Sequence, residues 1–232
     1  MKSKYKFNPD EFEVHQKIIN WVFPGQKVLD VGCASGYLAK ELIKRHCRVT
    51  GIEIDPLAVH KAEKFCNTVI VGDIENDKIR DKLNGEKFSV IILADVIEHL
   101  KSPEATLISL MAFLDIGGQV IISVPNIAFV TNRLSHLLGN FDYSDWGIID
   151  KTHLHFFTKK TIFELIKKAG LNVVRFDYVA NFTQLPFFMQ TFYPILGKQQ
   201  WWRKIEYKIG GLWSSGLAVQ FILLCQKMRG CR

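Results

Sequence analysis

Three stretches of this 232-residue chain hold side chains whose types and spacing chemistry could use. The first is Val28-Leu29-Asp30-Val31-Gly32-Cys33-Ala34-Ser35-Gly36, an apolar run that enters a glycine-bearing turn and then a helix-like segment. Glycine lets backbone approach a ligand that a Cβ would hold off, and the start of a helix offers unpaired N–H groups. A dinucleotide fingerprint G-x-G-x-x-G would need glycine at position 30, where this chain has Asp30. A carboxylate is a poor neighbour for a pyrophosphate and a good one for a cation, even through partly wet protein. The turn therefore predicts a positively charged nucleotide cofactor. S-adenosylmethionine, with its sulfonium and ammonium, is the candidate, and a nicotinamide dinucleotide fails at Asp30.

The second stretch, Asp95-Val96-Ile97-Glu98-His99-Leu100, follows the apolar run Phe88 to Ala94. Three ionisable groups within five residues are costly to hold at a sheet edge unless they are solvated or used. The third is Asp150-Lys151-Thr152-His153-Leu154-His155. A histidine near its unperturbed pKa of about 6.5 can take the proton of a hydroxyl, so His99 and His153 are the candidate general bases. Alternatively His99 holds its turn through backbone hydrogen bonds, and His155, two residues beyond His153, is support or core. Phe156, Phe157, Tyr143 and Trp146 either shape an acceptor pocket or fill the core.

Alternating elements must position these groups. Strand-like runs near 27–31, 48–54, 68–72, 88–94 and 118–124 alternate with helix-like runs Tyr37 to Arg45, Pro56 to Cys66 and Pro103 to Leu114. This order predicts an α/β protein with a parallel sheet covered on both faces. Ser102-Pro103-Glu104 reads as a helix start with a hydroxyl cap, and Gly117-Gly118 as that helix's stop. A later helix, Lys159 to Ala169, has Thr158 as its cap and Gly170 as its end, and leads to a strand near 171–179. The last strand falls at Ala218 to Gln226, after a long stretch, 181–216, read as a lid or insertion. Residues 1–24 should form a helix beside the cofactor edge.

Composition narrows the class. Nearly half of the residues are hydrophobic, enough for one good core, so one domain spanning 1–232 is expected, with 125–158 as its acceptor side. The five cysteines include no C-x-x-C pair, which argues against a zinc ribbon or a disulfide framework and fits a reducing cytoplasm. No run approaches the ~20 apolar residues of a membrane span. The formal charge of +7 is scattered along the chain and accompanies no nucleic-acid motif.

Taken in order, these motifs resemble the class I S-adenosylmethionine-dependent methyltransferases over roughly residues 25–180. The resemblance implies a Rossmann-like, doubly wound, mostly parallel seven-stranded sheet with an antiparallel last strand. The family's first motif, D-x-G-x-G-x-G, is matched by Asp30, Gly32 and Gly36, with Ala34 at the central glycine and Cys33 within the turn. By resemblance Glu53 accepts from the ribose hydroxyls, with Ile54 beside it. Asp73 and Ile74 meet the adenine, and Ala94 and Asp95 complete the cofactor wall. The exit Ser123-Val124-Pro125-Asn126 and the His153 region are similar to those of bacterial methyltransferases acting on small molecules and glycans. Asp95, Glu98, His99 and His153 also resemble the E-x-x-E-H plus distant histidine set of small-RNA 2'-O-methyltransferases, and ubiquinone-type O-methyltransferases share a similar segment. That likeness would make the four a divalent-metal site, with Asp95 in place of a glutamate and Leu100 where the RNA enzymes have a histidine.

The reading that results is an S-adenosylmethionine-dependent O-methyltransferase with a histidine base and a small-molecule or glycan acceptor. Its rivals are a metal-dependent enzyme on RNA ends and a cofactor-binding protein without catalysis. Residues 198–213 add a question of place. Trp202, Ile205 and Ile209 share one helical face and Gln200, Lys204 and Lys208 another, which suits either a lid helix packing its tryptophans on the domain or a membrane surface. The first makes the protein cytoplasmic, the second membrane-peripheral.

Overall fold

Val28, Leu29 and Val31 in β1 (Lys27–Val31) and the run Val90 to Leu93 in β4 (Phe88–Ala94) have almost no exposed surface. Strands buried along nearly their whole length in this way belong at the centre of a sheet covered on both faces. In the computed structural model, which describes residues 7–182 and 199–228, the two strands are parallel neighbours. Around them one seven-stranded sheet runs in the order β3-β2-β1-β4-β5-β7-β6. The other strands are β2 (Arg48–Glu53), β3 (Thr68–Val71), β5 (Leu114–Pro125), β6 (Leu171–Val179) and β7 (Gln220–Lys227). Pairing is parallel through β5, and β7 lies antiparallel to both β5 and β6. The pleat sends Val90 and Ile92 into the core on one face and Ile91 and Leu93 into the core on the other.

The helices are α1 (Val14–Trp21), α2 (Tyr37–Ile43), α3 (Pro56–Ala62), α4 (Asp77–Asp81), α5 (Pro103–Leu110), α6 (Val130–Leu137) and α7 (Lys159–Lys168), followed by α8 (Gln200–Leu212) and α9 (Ser214–Leu217). Thr158 caps α7 in a reciprocal capping box with Thr161, as the sequence predicts in part, and Gly170 follows in the left-handed conformation at φ +75°. No helix among the described residues is long and apolar enough to cross a membrane.

Three local expectations are corrected. The fifth helix ends at Leu110, and Leu114 already belongs to β5, so Gly117 and Gly118 lie inside the strand. Gly117, at φ +77°, sits where β5 bulges and the pairing jumps from Phe88–Leu114 to Val90–Gln119. The Ser102 hydroxyl makes no cap bond; instead the Glu75 carboxylate accepts from the backbone N–H groups of Lys101 and Ser102 at 2.9 and 2.7 Å. Helix α8 packs only one of its two tryptophans on the domain: Trp202 is half-buried, with its Nε1 enclosed. Its inward face is Arg203, Glu206 and Gly210, with Tyr207 stacked on Tyr178 at 4.8 Å, while Trp201 is exposed. The reason is steric as well as ionic, because a Cβ at Gly210 would lie 2.7 Å from that of Ala180. Of the expected insertion 181–216, residues 183–198 lie outside the described residues.

Arg203 ties the two ends of the chain. Its guanidinium donates to Asp10 at 2.9 Å, Glu13 at 2.6 Å and Glu206 at 2.8 Å, and to the Ala180 carbonyl at 3.3 Å. The side chains of Arg203 and Glu206 are 4% and 0% exposed. Removing one partner of a buried pair leaves an uncompensated charge, so Arg203→Met should lower unfolding free energy by about 3–5 kcal/mol in urea titration. The double variant Arg203→Met/Glu206→Leu should recover a large part of that loss. A single-variant loss below about 1 kcal/mol, the scale of an exposed pair, would show that this cluster does not hold α8.

Candidate active site

The chain proceeds outward from β1 to β3 and returns to β4 on the other side of β1, so the carboxyl ends of β1 and β4 part and leave a crevice. The loops after β1, β2, β3 and β4 wall a cleft of about 390 Å³ there. Gly32, Glu53, Ile54, Asp73, Ile74, Ala94 and Asp95 all line it. The glycine turn is held in left-handed backbone at Gly32 (φ +70°), Ala34 (φ +47°) and Gly36 (φ +73°). At Gly32 the reason is contact, since a Cβ would stand 2.6 Å from the Val96 side chain. Ala34 carries a Cβ in this conformation, at a cost of roughly 1–2 kcal/mol. Glu53 helps to offset it by accepting the Ala34 N–H at 2.7 Å, while its other oxygen accepts from Ile54 and Asp55 at 2.8 and 2.9 Å.

The other turn residues expected at the cofactor do not line the cleft. Cys33 is buried and turned toward Cys66, whose hydrogen bond, with burial behind it, pushes the Cys33 thiol far up. Gly36 is where α2 meets α3, since a Cβ would fall 2.9 Å from the Ala62 Cα. Asp30 lies beneath the turn, buried, with Oδ2 unpartnered. Burial, with the Glu53 carboxylate as a second cause, pushes its carboxyl up to about 7. Asp73 uses one oxygen to accept the Glu75 N–H at 2.9 Å, an Asx turn that shapes the loop after β3.

A second cleft, of about 420 Å³, adjoins the first and shares Asp95 and His99 with it. Asp95 is itself a left-handed residue, at φ +55°. Its carboxylate accepts the Ser123 hydroxyl at 2.8 Å and the Gln220 side-chain amide. Burial raises its pKa, and those two bonds oppose the rise. Glu98 is buried with both carboxylate oxygens unpartnered, and burial followed by the Asp95 charge holds its carboxyl well above the usual range. The Glu98 carbonyl accepts from Leu154 and His155 at 2.8 and 3.0 Å, which draws the 150–155 segment onto the turn after β4.

That contact brings the two candidate histidines together. Their rings stand 4.7 Å apart, edge to face. His99 Nδ1 lies 3.1 Å from the Thr152 carbonyl and His153 Nδ1 3.1 Å from the Ile148 carbonyl. A carbonyl only accepts, so each Nδ1 carries a proton and each Nε2 is left out of these bonds. Burial, with His99 as second cause, lowers the pKa of His153 and favours its neutral form. Glu98, His99 and His153 offer ligand atoms within 4.8 Å of one another. Asp95 stands outside this group, and its carboxylate is engaged by Ser123 and Gln220. Of the aromatic set, Trp146 lines the second cleft, Phe156 packs against His153 at 6.1 Å and Tyr143 against Phe156, whereas Phe157 is core. Gln220 and Ser123 carry no spacing signal, being 125 and 28 residues from the aspartate they hold.

Comparison with known proteins identifies the family and the fold. A family model described as a methyltransferase domain matches residues 11–175. The chain is 30% identical over 117 residues to a ubiquinone biosynthesis O-methyltransferase of Pseudomonas aeruginosa, an alignment covering 47% of this chain and 50% of that protein. The mitochondrial ubiquinone biosynthesis O-methyltransferase of Schizosaccharomyces pombe is 29% identical over 117 residues, covering 49% and 43%. The chain thus spans about half the length of the curated relatives it matches. Among solved structures, an Archaeoglobus fulgidus S-adenosylmethionine-dependent methyltransferase superposes with a TM-score of 0.63 at 16% identity, covering 91% and 90% of the two chains. Magnesium protoporphyrin IX methyltransferase from Synechocystis, with S-adenosylhomocysteine bound, gives 0.60 at 16%, covering 92% and 82%.

The state of Asp30 makes a cationic ligand measurable. Its folded pKa of about 7 lies above the unfolded value, so between the two the folded state holds a proton that the unfolded chain has lost. Stability from this group therefore falls as pH rises from about 4 to 7, a loss on the order of 4 kcal/mol that stays complete above pH 7 until a cation binds. Asp30→Asn should raise the melting temperature of the ligand-free protein at pH 8 and not at pH 4, while weakening S-adenosylmethionine binding at least about tenfold. Unchanged affinity in calorimetry would remove Asp30 from the cofactor site.

Proposed function

The chain belongs to the class I S-adenosylmethionine-dependent methyltransferases, and from that premise we propose that it methylates a hydroxyl of a small molecule with a histidine as general base. The observation that carries this reading is the shared wall: cofactor cleft and second cleft meet at Asp95 and His99, with His153 against His99. S-adenosylmethionine supplies an electrophilic methyl group. What remains for the protein is to hold, orient, keep water out and take the acceptor's proton.

Each of those tasks has residues suited to it. In this reading Glu53 and Asp73, which line the first cleft, accept from the hydroxyls and the base of a nucleoside, and buried Asp30 and Asp95 favour its positive charge. In the second cleft, Nε2 of His153 or His99 is the base, kept in the right tautomer by the carbonyls of Ile148 and Thr152. The cleft volume suits a small molecule. The relatives named for ubiquinone biosynthesis O-methylation support an oxygen acceptor.

A second reading is favoured by Glu98, whose two buried oxygens lack partners beside both histidines. These three fit a divalent cation, which would lower the pKa of an acceptor hydroxyl bound to it. Asp95 would not be among its ligands.

With an acceptor found from a panel of phenols, catechols and sugars, the product should carry a methoxy group by NMR. His153→Ala should reduce kcat by about 100- to 10,000-fold while S-adenosylhomocysteine binding stays unchanged. Methylation on nitrogen, or a His153→Ala/His99→Ala enzyme of near-normal kcat, would end the histidine-base reading. Turnover should also persist in EDTA; loss in EDTA with recovery on magnesium, abolished by Glu98→Gln, would give the site to the cation.

A further inference from the structure

The inward face of α8 carries a buried charge pair, and its outward face gathers apolar side chains bordered by two lysines, unlike an ordinary surface helix. Arg203, Glu206 and Gly210 point into the protein, and Trp201, Lys204, Ile205, Lys208, Ile209 and Leu212 are exposed. At ~100° per residue these six fill about 140° of arc, the lysines along one margin and the apolar side chains together beside them. Trp201 is 52% and Leu212 85% exposed. Large apolar side chains gathered on a surface carry a standing cost that a partner would remove.

The patch does not end with the helix. Trp213 follows α8, and the Arg133 guanidinium lies 5.3 Å over its ring while donating to the Ser215 carbonyl. Arg133 thereby seats α6 against α9. Helix α6 presents Leu134 and Leu137, and Leu138 follows, all three exposed. Charge is one-sided across the same elements. The sole acid of 126–138 and 199–217 is Glu206, and it is buried against Arg203. Lys204, Lys208 and Arg133 are exposed, so the face offers apolar and cationic groups and no exposed anion.

We propose that the outward face of α8, continued by Trp213 and the leucines of α6, docks on a lipid bilayer whose surface carries anionic headgroups. Exposed apolar side chains flanked by lysine match that interface chemically: the rings and branched chains enter the acyl boundary while the lysines stay at the phosphate level. A protein partner would need acids facing the lysines around an apolar centre, whereas a bilayer offers both along its whole surface. The inference is independent of the methyl acceptor. The face and the second cleft are joined through the chain, since Trp213 leads into α9 and Val219 and Gln220, which follow Ala218, line that cleft.

The full chain should float with vesicles of phosphatidylcholine and phosphatidylglycerol, float poorly with phosphatidylcholine alone, and be released as salt rises. Trp201→Ser/Ile205→Ser/Leu212→Ser should lower partitioning at least about tenfold, with circular dichroism and S-adenosylhomocysteine affinity unchanged. Lys204→Gln/Lys208→Gln should weaken binding to anionic vesicles alone. Absence of wild-type flotation, or flotation indifferent to the triple variant, overturns the proposal. So does a wild-type dimer in light scattering that the triple variant converts to monomer, because the face would then belong to a second copy.

Discussion

A carboxylate removed from water must find a cation, a donor or a proton, and the crevice of this protein holds three such groups. Asp95 has its donors in Ser123 and Gln220. Asp30, with one oxygen unpartnered, and Glu98, with both, do not. The surrounding architecture is arranged about that deficit: the glycine turn lies over Asp30, and the paired histidines stand beside Glu98. Burial raises both of these carboxyls, so in each place a proton can take the part of the missing partner. The two places differ in their neighbours: Asp30 has the Glu53 carboxylate beside it, whereas Glu98 has Asp95 and the two imidazoles.

The deficit is possible because the sheet changes direction between β1 and β4. Only there do two strand ends separate enough to leave polar side chains under loops instead of under helices. The antiparallel β7 then closes the other side. By inserting between β5 and β6 it carries Gln220 to the rim, where it reaches Asp95. The parallel half of the sheet thus makes the cofactor cleft, and the antiparallel return finishes the wall it shares with the second.

What the sequence made legible follows the same division. Strand, turn and helix are contiguous around Asp30 and Gly36, so local spacing was enough to foresee the crevice, and the acids at 53 and 73 fall at strand ends visible as apolar runs. The purpose of individual turn residues was not visible locally, because Cys33 and Gly36 answer to Cys66 and Ala62, distant in sequence. The second cleft depends on contacts between Glu98 and 154–155 and between Asp95 and Gln220, which no periodicity reports. Helix α8 was foreseen as a helix with its apolar face turned either to the domain or outward, and the structure turns most of that face outward. Hydrophobic patterning assumes that apolar faces turn inward, and here a buried guanidinium with its carboxylates overrides it. Gly117 misled for a related reason, since a left-handed glycine ends a helix and bulges a strand equally well.

Arg203 reaches from α8 to Asp10 and Glu13, which precede and open α1, and α1 is fastened in turn by Lys17 to Asp177 and the Tyr178 carbonyl in β6. The beginning and the last quarter of the chain therefore cannot loosen separately: freeing either strands buried charge in the other. They make one cooperative unit for local opening, and its free energy is set by ion pairing where the sheet's is set by apolar packing. The sheet should then melt as a hydrophobic core does, while the clasped ends, their charges too enclosed for salt to screen well, part when one member of the cluster loses its charge.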